Sequence, residues 1–209
     1  MLELPNVTLI IVDCLDAERA VKSIEKCTAV CKFGAVKLLT SKETDSPYKV
    51  EIGQINSLDW YSDFILRHIW RFCDTPHMQI IQHDGWIINP DTWEDNWLKY
   101  DYMGPIFRFE NAANNDCVGN GGFSLRTKRL MEYVAGNVGP IDKGVNGYFN
   151  EDGIICKGFK EHLSKAGFNF APPVQAAKYV FEGNGAHFYG KPFGFHGFQS
   201  LGILEKRWA

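Results

Sequence analysis

The sequence predicts an α/β fold with one mostly parallel central sheet flanked by helices, and three observations carry this. Val7–Val12 is an unbroken apolar run, rich in β-branched residues, that stops at Asp13, as a strand buried on both faces does. In the stretch that follows, Ala20, Ile24, Cys27 and Cys31 recur every three or four residues, which gives a helix one apolar face. Val36–Leu39 is a second apolar run, ending at Thr40-Ser41. Strand, helix, strand is how a parallel sheet opens, and such sheets take their ligands at the carboxyl ends of the strands.

The remaining elements follow in order. Asp16 caps the first helix, with Glu18 in its first turn, and Gly34 is expected to stop it. Tyr48–Ile52 is a weaker third strand. Ser57 caps a second helix, with Leu58, Tyr61, Ile65, Ile69 and Phe72 on one face. Met78–Gln82 is a fourth strand, with Ile87-Ile88 as a short continuation past His83-Asp84-Gly85-Trp86. Asn89–Gly104, rich in Trp, Asp and Tyr, reads as a packed surface turn. Arg108–Asn120 is polar and aperiodic, and is expected to be a mobile loop. Gly119–Arg126 leads into a helix capped by Thr127, with Leu130, Met131 and Val134 inward. Gly136–Phe149 reads as loop, and Glu151-Asp152 opens a helix carrying Ile155, Phe159 and Leu163. Phe170–Val180 reads as extended, and Phe193–Gly197 closes the fold. No repeat or linker divides the 209 residues, so a single domain is expected.

Composition bounds the function. Apolar residues at 45% and charged residues at 22% exclude a disordered chain. Aromatics at 14% are too many for surface decoration, so many must fill a core or line a groove. A net charge of −3 argues against a non-specific polyanion binder. The six cysteines form no Cys-x-x-Cys pair and no zinc-finger spacing. Cys27 and Cys31 read as core packing one helical turn apart, as expected in a reducing cytoplasm. The start lacks a basic region, and Val7–Val12 is too short for a signal core or a membrane span. A soluble, cytoplasmic protein is therefore expected.

Four motifs can carry chemistry. Gln82-His83-Asp84-Gly85-Trp86 places an acid just past a buried strand, where a carboxylate can hold a divalent cation that bridges phosphates. Asp-Gly is equally a favoured turn pair. Gly119-Asn120-Gly121-Gly122-Phe123-Ser124-Leu125-Arg126 has three glycines in four residues, which suits either a close backbone approach to a ligand or a plain turn. It is neither a Walker loop nor a Gly-x-Gly-x-x-Gly turn. Asn150-Glu151-Asp152-Gly153 puts two acids at a helix start, where they complement the helix dipole or supply a general base. In Phe193-Gly194-Phe195-His196-Gly197 the imidazole is either a metal ligand or a satisfied structural residue. His187 is a weaker candidate of the same kind.

Taken together, these motifs resemble a glycosyltransferase of the GT-A fold. In particular the chain is similar to a domain-of-unknown-function family of small glycosyltransferase-like proteins. That family carries Q-x-D-G-W, G-N-G-G-F-S-L-R, E-D-x-x-x-C and F-G-F-H-G signatures, matched here by Gln82–Trp86, Gly119–Arg126, Glu151–Cys156 and Phe193–Gly197. Tyr100–Pro105 fits its Y-D-Y-I-G-A-P stretch. A more distant likeness is to the β-1,3-glycosyltransferases, whose E-D-V motif supplies the base.

The resemblance implies a nucleotide-binding half near residues 7–90 and an acceptor and catalytic half near 104–197. It implies transfer of a sugar from a nucleotide diphosphate sugar, a UDP-sugar favoured, to a hydroxyl on a glycan, a protein or a modified nucleobase. Asp152 would be the base, in an inverting reaction, with Glu151 helping to hold the acceptor or its loop. Val12, Asp13, Thr40, Ser41, Tyr61 and Ser62 would bind the nucleotide, and Gly121 and Gly122 would let the backbone approach donor or acceptor. Trp86 and Phe123 would stack on a sugar. Asp84 and His196 would hold Mn²⁺ or Mg²⁺; only one acid of a D-x-D motif stands here, so the ion needs His196 as its second protein ligand.

Two further readings compete. A transferase acting on hydroxymethylated DNA bases would keep the same donor half, with Arg108, Arg126, Lys128 and Arg129 forming a local positive patch against the phosphates. The net charge makes duplex DNA the less favoured partner. A non-catalytic sugar- or nucleotide-binding module would use the same pocket without a competent base. A Rossmann-type enzyme is disfavoured, because no Gly-x-Gly-x-x-Gly follows Val7–Val12.

Overall fold

The computed structural model describes residues 1–106, 118–139, 144–183 and 190–208. The first strand, β1 (Leu2–Val12), is longer than the apolar run that announces it. Its side chains alternate between two cores: Leu9 and Ile11 face one, Ile10 and Val12 the other. Asp16 caps helix α1 (Ala17–Thr28) by accepting from the amides of Glu18 and Arg19. Ala20, Ile24 and Cys27 are its buried face, as the spacing requires.

Two expectations fail at the end of α1. Gly34 does not stop the helix, and Cys31 does not belong to it. Both lie in β2 (Cys31–Thr40). Gly34 is a strand glycine: β1 shifts register between Leu4 and Thr8, and a Cβ on Gly34 would stand 2.2 Å from the carbonyl oxygen of Pro5.

A short strand, β3 (Lys49–Glu51), pairs with β2. Ser57 caps α2 (Leu58–Arg67) by accepting from the amide of Trp60, and Ile65 and Leu66 point inward. Leu58 instead faces solvent at 61% exposure, which places it on the rim of the cleft described below. Strand β4 (His77–Ile81) is buried along its whole length. The Ile87-Ile88 continuation is a separate strand, β5 (Gly85–Ile87). Asn89–Gly104 is packed as expected, through two short 3₁₀ turns that bury Trp97. It ends in β6 (Tyr102–Met103).

Phe123–Thr127 is a strand, β7, where the sequence read only a glycine-rich lead into a helix. The helix does follow: α3 (Lys128–Asn137) is capped by Thr127 and buries Leu130, Met131 and Val134. Glu151 opens a three-residue helix, α4 (Glu151–Gly153), which widens into a π-turn at Ile154–Gly158 before α5 (Lys160–Lys165). Phe170–Val180 is not extended. Pro173 stands at the first position of helix α6 (Pro173–Tyr179), where a missing N–H costs nothing. The chain ends with β8 (Val180–Glu182), β9 (Gly194–His196) and α7 (Phe198–Trp208).

Six strands form the main sheet in the order β3-β2-β1-β4-β7-β6. The first four run parallel, and β7 is antiparallel to both β4 and β6. Three more strands form a second sheet, β5-β9-β8. The chain leaves β1 toward β2 on one side and returns to β4 on the other. The carboxyl ends of β1 and β4 are therefore a topological switch point, where α/β sheets open a crevice for ligands. Among the described residues no helix is long and apolar enough to cross a membrane. The segment expected to be a mobile loop lies largely outside the described residues, as do Arg108, Cys117 and His187.

Candidate active site

A cleft of about 320 Å³ opens at this switch point. Val12, Asp13, Cys14 and Leu15, just past β1, form one wall. Asn56, Ser57, Leu58 and Tyr61, at the start of α2, form the other, and Gln82 and His83, after β4, close its inner end. Asp13 is 6% exposed, and its carboxylate accepts from the amides of Leu15 and Asp16 and from Arg19 Nε at 2.6 Å and Nη2 at 3.1 Å. It thus shapes the turn after β1. Tyr61 OH accepts from Gln82 Nε2 at 3.4 Å and ties the two walls together.

Beyond Gln82 the cleft meets a cluster drawn from three segments. His196 on β9 places Nε2 3.1 Å from Gln82 Oε1 and 3.4 Å from Asp84 Oδ1. Its other nitrogen, Nδ1, stands 3.3 Å from Glu182 Oε1 on β8. Burial works to lower the His196 pKa, but the two carboxylates outweigh it and push the group up to about 9. Burial works to raise Asp84, and His196 holds it below the usual carboxylate range. The imidazole–carboxylate contacts have ion-pair distances without hydrogen-bond alignment. Asp84 Oδ1, Glu182 Oε2 and His196 Nδ1 are buried with no hydrogen-bond partner.

The glycine turn explains how this cluster is joined to the acid pair. Gly122 backs onto the imidazole so closely that a Cβ would lie 2.0 Å from His196 Nε2. Its amide donates to Asn120 Oδ1, whose Nδ2 donates to Glu182 Oε1 at 2.7 Å. Gly121 N donates to Asp152 Oδ2 at 3.0 Å, and a Cβ there would lie 2.0 Å from Glu151 Oε1. Two consecutive glycines thus have Asp152 against one and the Asp84–His196 pair against the next.

Several expected site residues are placed elsewhere. Thr40 is fully buried and donates to the carbonyl of Asp13, so it fixes the end of β1 and presents nothing to a nucleotide. Ser62 is fully buried on the inner face of α2. Ser41 donates to Gln54 Oε1 outside the cleft lining. Phe123 is fully buried against Tyr179 and Phe193 and offers no face to a sugar. Trp86, half-buried, has Lys26 Nζ 3.3 Å over its ring and meets Phe195 edge-on, so much of its surface is already in contact with the protein. Glu151 is 4% exposed and bound by Arg126 Nη2 at 2.7 Å, so it does not reach an acceptor. Gly121 and Gly122 are needed, but what they admit is Glu151 and His196 rather than a ligand.

The expected basic patch does not assemble among the described residues. Arg126 is fully buried, Lys128 Nζ donates to the carbonyl of Cys73, and Arg129 is bound to Asp101.

Glu182 was missed, since nothing in its local sequence marks it; only the pairing of β8 with β9 brings it to His196. Asn120 and Gln82 stood inside recognised motifs without an assigned role.

From Tyr48 to His196 the chain matches the family described as "Protein of unknown function (DUF5672)". It belongs to this family. The match spans well over half of the 209 residues and includes the first three motifs whole and the fourth as far as His196. No curated protein matches the chain.

Solved structures share the fold. One is a glycosyltransferase involved in glycosylation of the major capsid of PBCV-1, with TM-score 0.53 and 10% identity over 91% of this chain and 91% of that one. An active-site mutant of LgtC has TM-score 0.51 and 11% identity, covering 91% of this chain and 86% of the other. A mannosyltransferase from Pyrobaculum calidifontis, in complex with GDP-Man and Mn²⁺, has TM-score 0.50 and 12% identity over 81% of this chain. Our chain spans 56% of that protein's length. At these identities the likeness is one of fold. The family member described here has the GT-A type of α/β architecture expected from its sequence.

Proposed function

We propose that this protein transfers a sugar from a nucleotide diphosphate sugar to a hydroxyl acceptor, with Asp152 as general base. The observation that carries the reading is the two-glycine turn. It sets the Asp152 carboxylate beside an acid–imidazole pair suited to a diphosphate-bound cation. The carbonyl of Gly122 accepts from the amide of Gln82, which lines the cleft at the sheet's switch point.

The residues fit a divalent ion. Asp84 Oδ1 is buried without a hydrogen-bond partner, and it and Gln82 Oε1 both stand within 3.4 Å of His196 Nε2. Glu182 faces the opposite nitrogen, where a carboxylate fixes the tautomer of a metal-binding imidazole. Among the described residues no three His, Cys, Asp or Glu side chains converge on one point, so Asp84 and His196 would leave the other positions to phosphate oxygens and water. When bound, Mn²⁺ or Mg²⁺ offsets the charge that grows on the departing diphosphate.

The chain's own residues supply the rest. Val12 and Asp13 on one wall of the cleft, and Tyr61 on the other, are the residues that would flank base and ribose. Asp152, held by the amides of Gly121 and Gly153, takes the acceptor proton as the hydroxyl attacks the anomeric carbon, and inversion follows from a single displacement. A UDP-sugar is the favoured donor, and a hydroxyl on a glycan, a protein or a modified nucleobase is the acceptor.

The test is thermal stability with UDP, GDP, CDP and ADP, each with and without Mn²⁺. A ligand at 100 times its dissociation constant adds about 2.7 kcal/mol, which raises the melting temperature of a domain this size by roughly 5–11 °C. A rise with one diphosphate that needs Mn²⁺ supports the reading. No rise with any of them overturns it.

A further inference from the structure

We propose that Arg126 and Glu151 are positioning residues, a buried charge pair that pins α4 to β7 and so fixes where the Asp152 carboxylate points. The inference rests on reading Asp152 as the base. Arg126 is fully buried on β7, between Ser124 and the ring of Tyr102, whose centroid is 4.9 Å from its guanidinium carbon. Glu151 is the first residue of α4. The two meet at 2.7 Å.

Stability alone does not account for such a pair. Removing two charges from water costs about as much as their attraction returns, and apolar residues of like volume do as well or better. Burial accordingly raises the Glu151 carboxyl pKa even with Arg126 beside it.

What the pair does is close a ring of contacts around Gly121. Gly121 N donates to Asp152 Oδ2. Its carbonyl accepts from Ser124 Oγ at 3.1 Å, and Ser124 Oγ in turn accepts from Arg126 Nε at 3.0 Å. Glu151 Oε1, bound to the same guanidinium, packs against the α-carbon of Gly121. The amide and α-carbon of this glycine are therefore met by residues of α4, and its carbonyl by Ser124, which Arg126 holds. Left to itself, α4 is poorly fixed: it has three residues, no side-chain cap, and a π-turn directly behind it. Among the described residues, Asp152 is held by two backbone amides, those of Gly121 and Gly153. Where its carboxylate stands thus depends on how α4 sits against β7, and the Arg126–Glu151 contact sets that.

The experiment compares Arg126→Met/Glu151→Met with wild type and with Asp152→Asn. The double variant removes both charges and keeps apolar volume, so it is expected to melt cooperatively near the wild-type temperature. Two signals should change. In ¹H–¹⁵N spectra the Gly121 amide should move from its wild-type position and exchange faster with solvent. Turnover of the donor should fall about 10²-fold with KM for the donor unchanged, the cost of a base displaced by about 1 Å. Glu151→Gln, which keeps an acceptor for Arg126, should retain the Gly121 signal and most of the turnover, and this variant decides the matter if the double variant does not fold. A Gly121 amide identical to wild type in the double variant, or lost in Glu151→Gln, overturns the proposal. A wild-type protein that binds no nucleotide and turns over no donor overturns the transferase reading instead, and the amide signals still decide whether the pair positions Asp152.

Discussion

Alanine at Gly122 tests the construction of the site in a single atom. A Cβ there would stand 2.0 Å from His196 Nε2, 2.3 Å from Cε1 and 2.5 Å from Cδ2. Ordinary van der Waals contact begins at 3.4 Å, so the imidazole has to retreat by 3.4 − 2.0, or 1.4 Å. The backbone at Gly122 lies outside the left-handed region, so alanine adds no backbone strain and the whole cost is steric. Overpacking of this kind costs about 1–3 kcal/mol. For a chain of this length that lowers the melting temperature by roughly 2–12 °C. The retreat also breaks the 3.4 Å approach to Asp84 and the 3.1 Å approach to Gln82. A displacement of about 1 Å in such a site costs about 10²-fold, so Mn²⁺-dependent nucleotide affinity should fall by that order. Calorimetric titration with UDP and Mn²⁺ measures the affinity, and differential scanning calorimetry the stability. Wild-type affinity in Gly122→Ala would refute the claim that the glycine is there to seat the imidazole. Gly136→Ala is the control: its Cβ meets nothing within 4 Å, and in α3 it should add about 0.5–1 kcal/mol.

Asp152→Asn should keep nucleotide affinity and lose about 10²–10⁴-fold in turnover; unchanged turnover removes Asp152 from the mechanism. Phe123→Ala should cost about 3–5 kcal/mol of stability, read by urea denaturation, because the ring is fully buried against Tyr179 and Phe193; a stable variant with weakened sugar binding would restore the stacking role. In the metal-free protein, the raised His196 pKa makes stability pH-dependent. Its folded value of about 9 lies above the unfolded 6.5. The contribution is complete below about pH 6.5 and disappears as pH rises through 9, a loss of about 3 kcal/mol at 1.36 kcal/mol per pH unit. Melting temperatures from pH 6 to 9.5 should decline in wild type and flatten in Glu182→Gln; a flat wild-type profile contradicts the assignment.

Local chemistry made much of the framework legible. The caps at Asp16, Ser57 and Thr127 and the inward faces of α1 and α3 depend on side chains within a few residues of one another. Strand β7 had a readable signal in the alternation of Phe123 and Leu125 with Ser124 and Arg126, which the glycine-rich reading overlooked; what that alternation hides is that Ser124 and Arg126 are buried as deeply as Leu125. Helix α6 had a readable signal, Pro173 at its first position, which the extended reading overlooked.

The sequence by itself determined the α/β class, the βαβ opening, and the motifs that meet at the site. Period and capping act over a few residues, and the order of the motifs is fixed by the chain. Only the tertiary structure decided which residue of each motif is open to solvent and which partner each one meets. Phe123, Thr40 and Ser62 carry suitable chemistry but are sealed from solvent. Glu151 is taken up by Arg126, and Glu182 reaches His196 because β8 pairs with β9. Burial, and partnership between residues on separate elements, are properties of packing, and no local pattern encodes them.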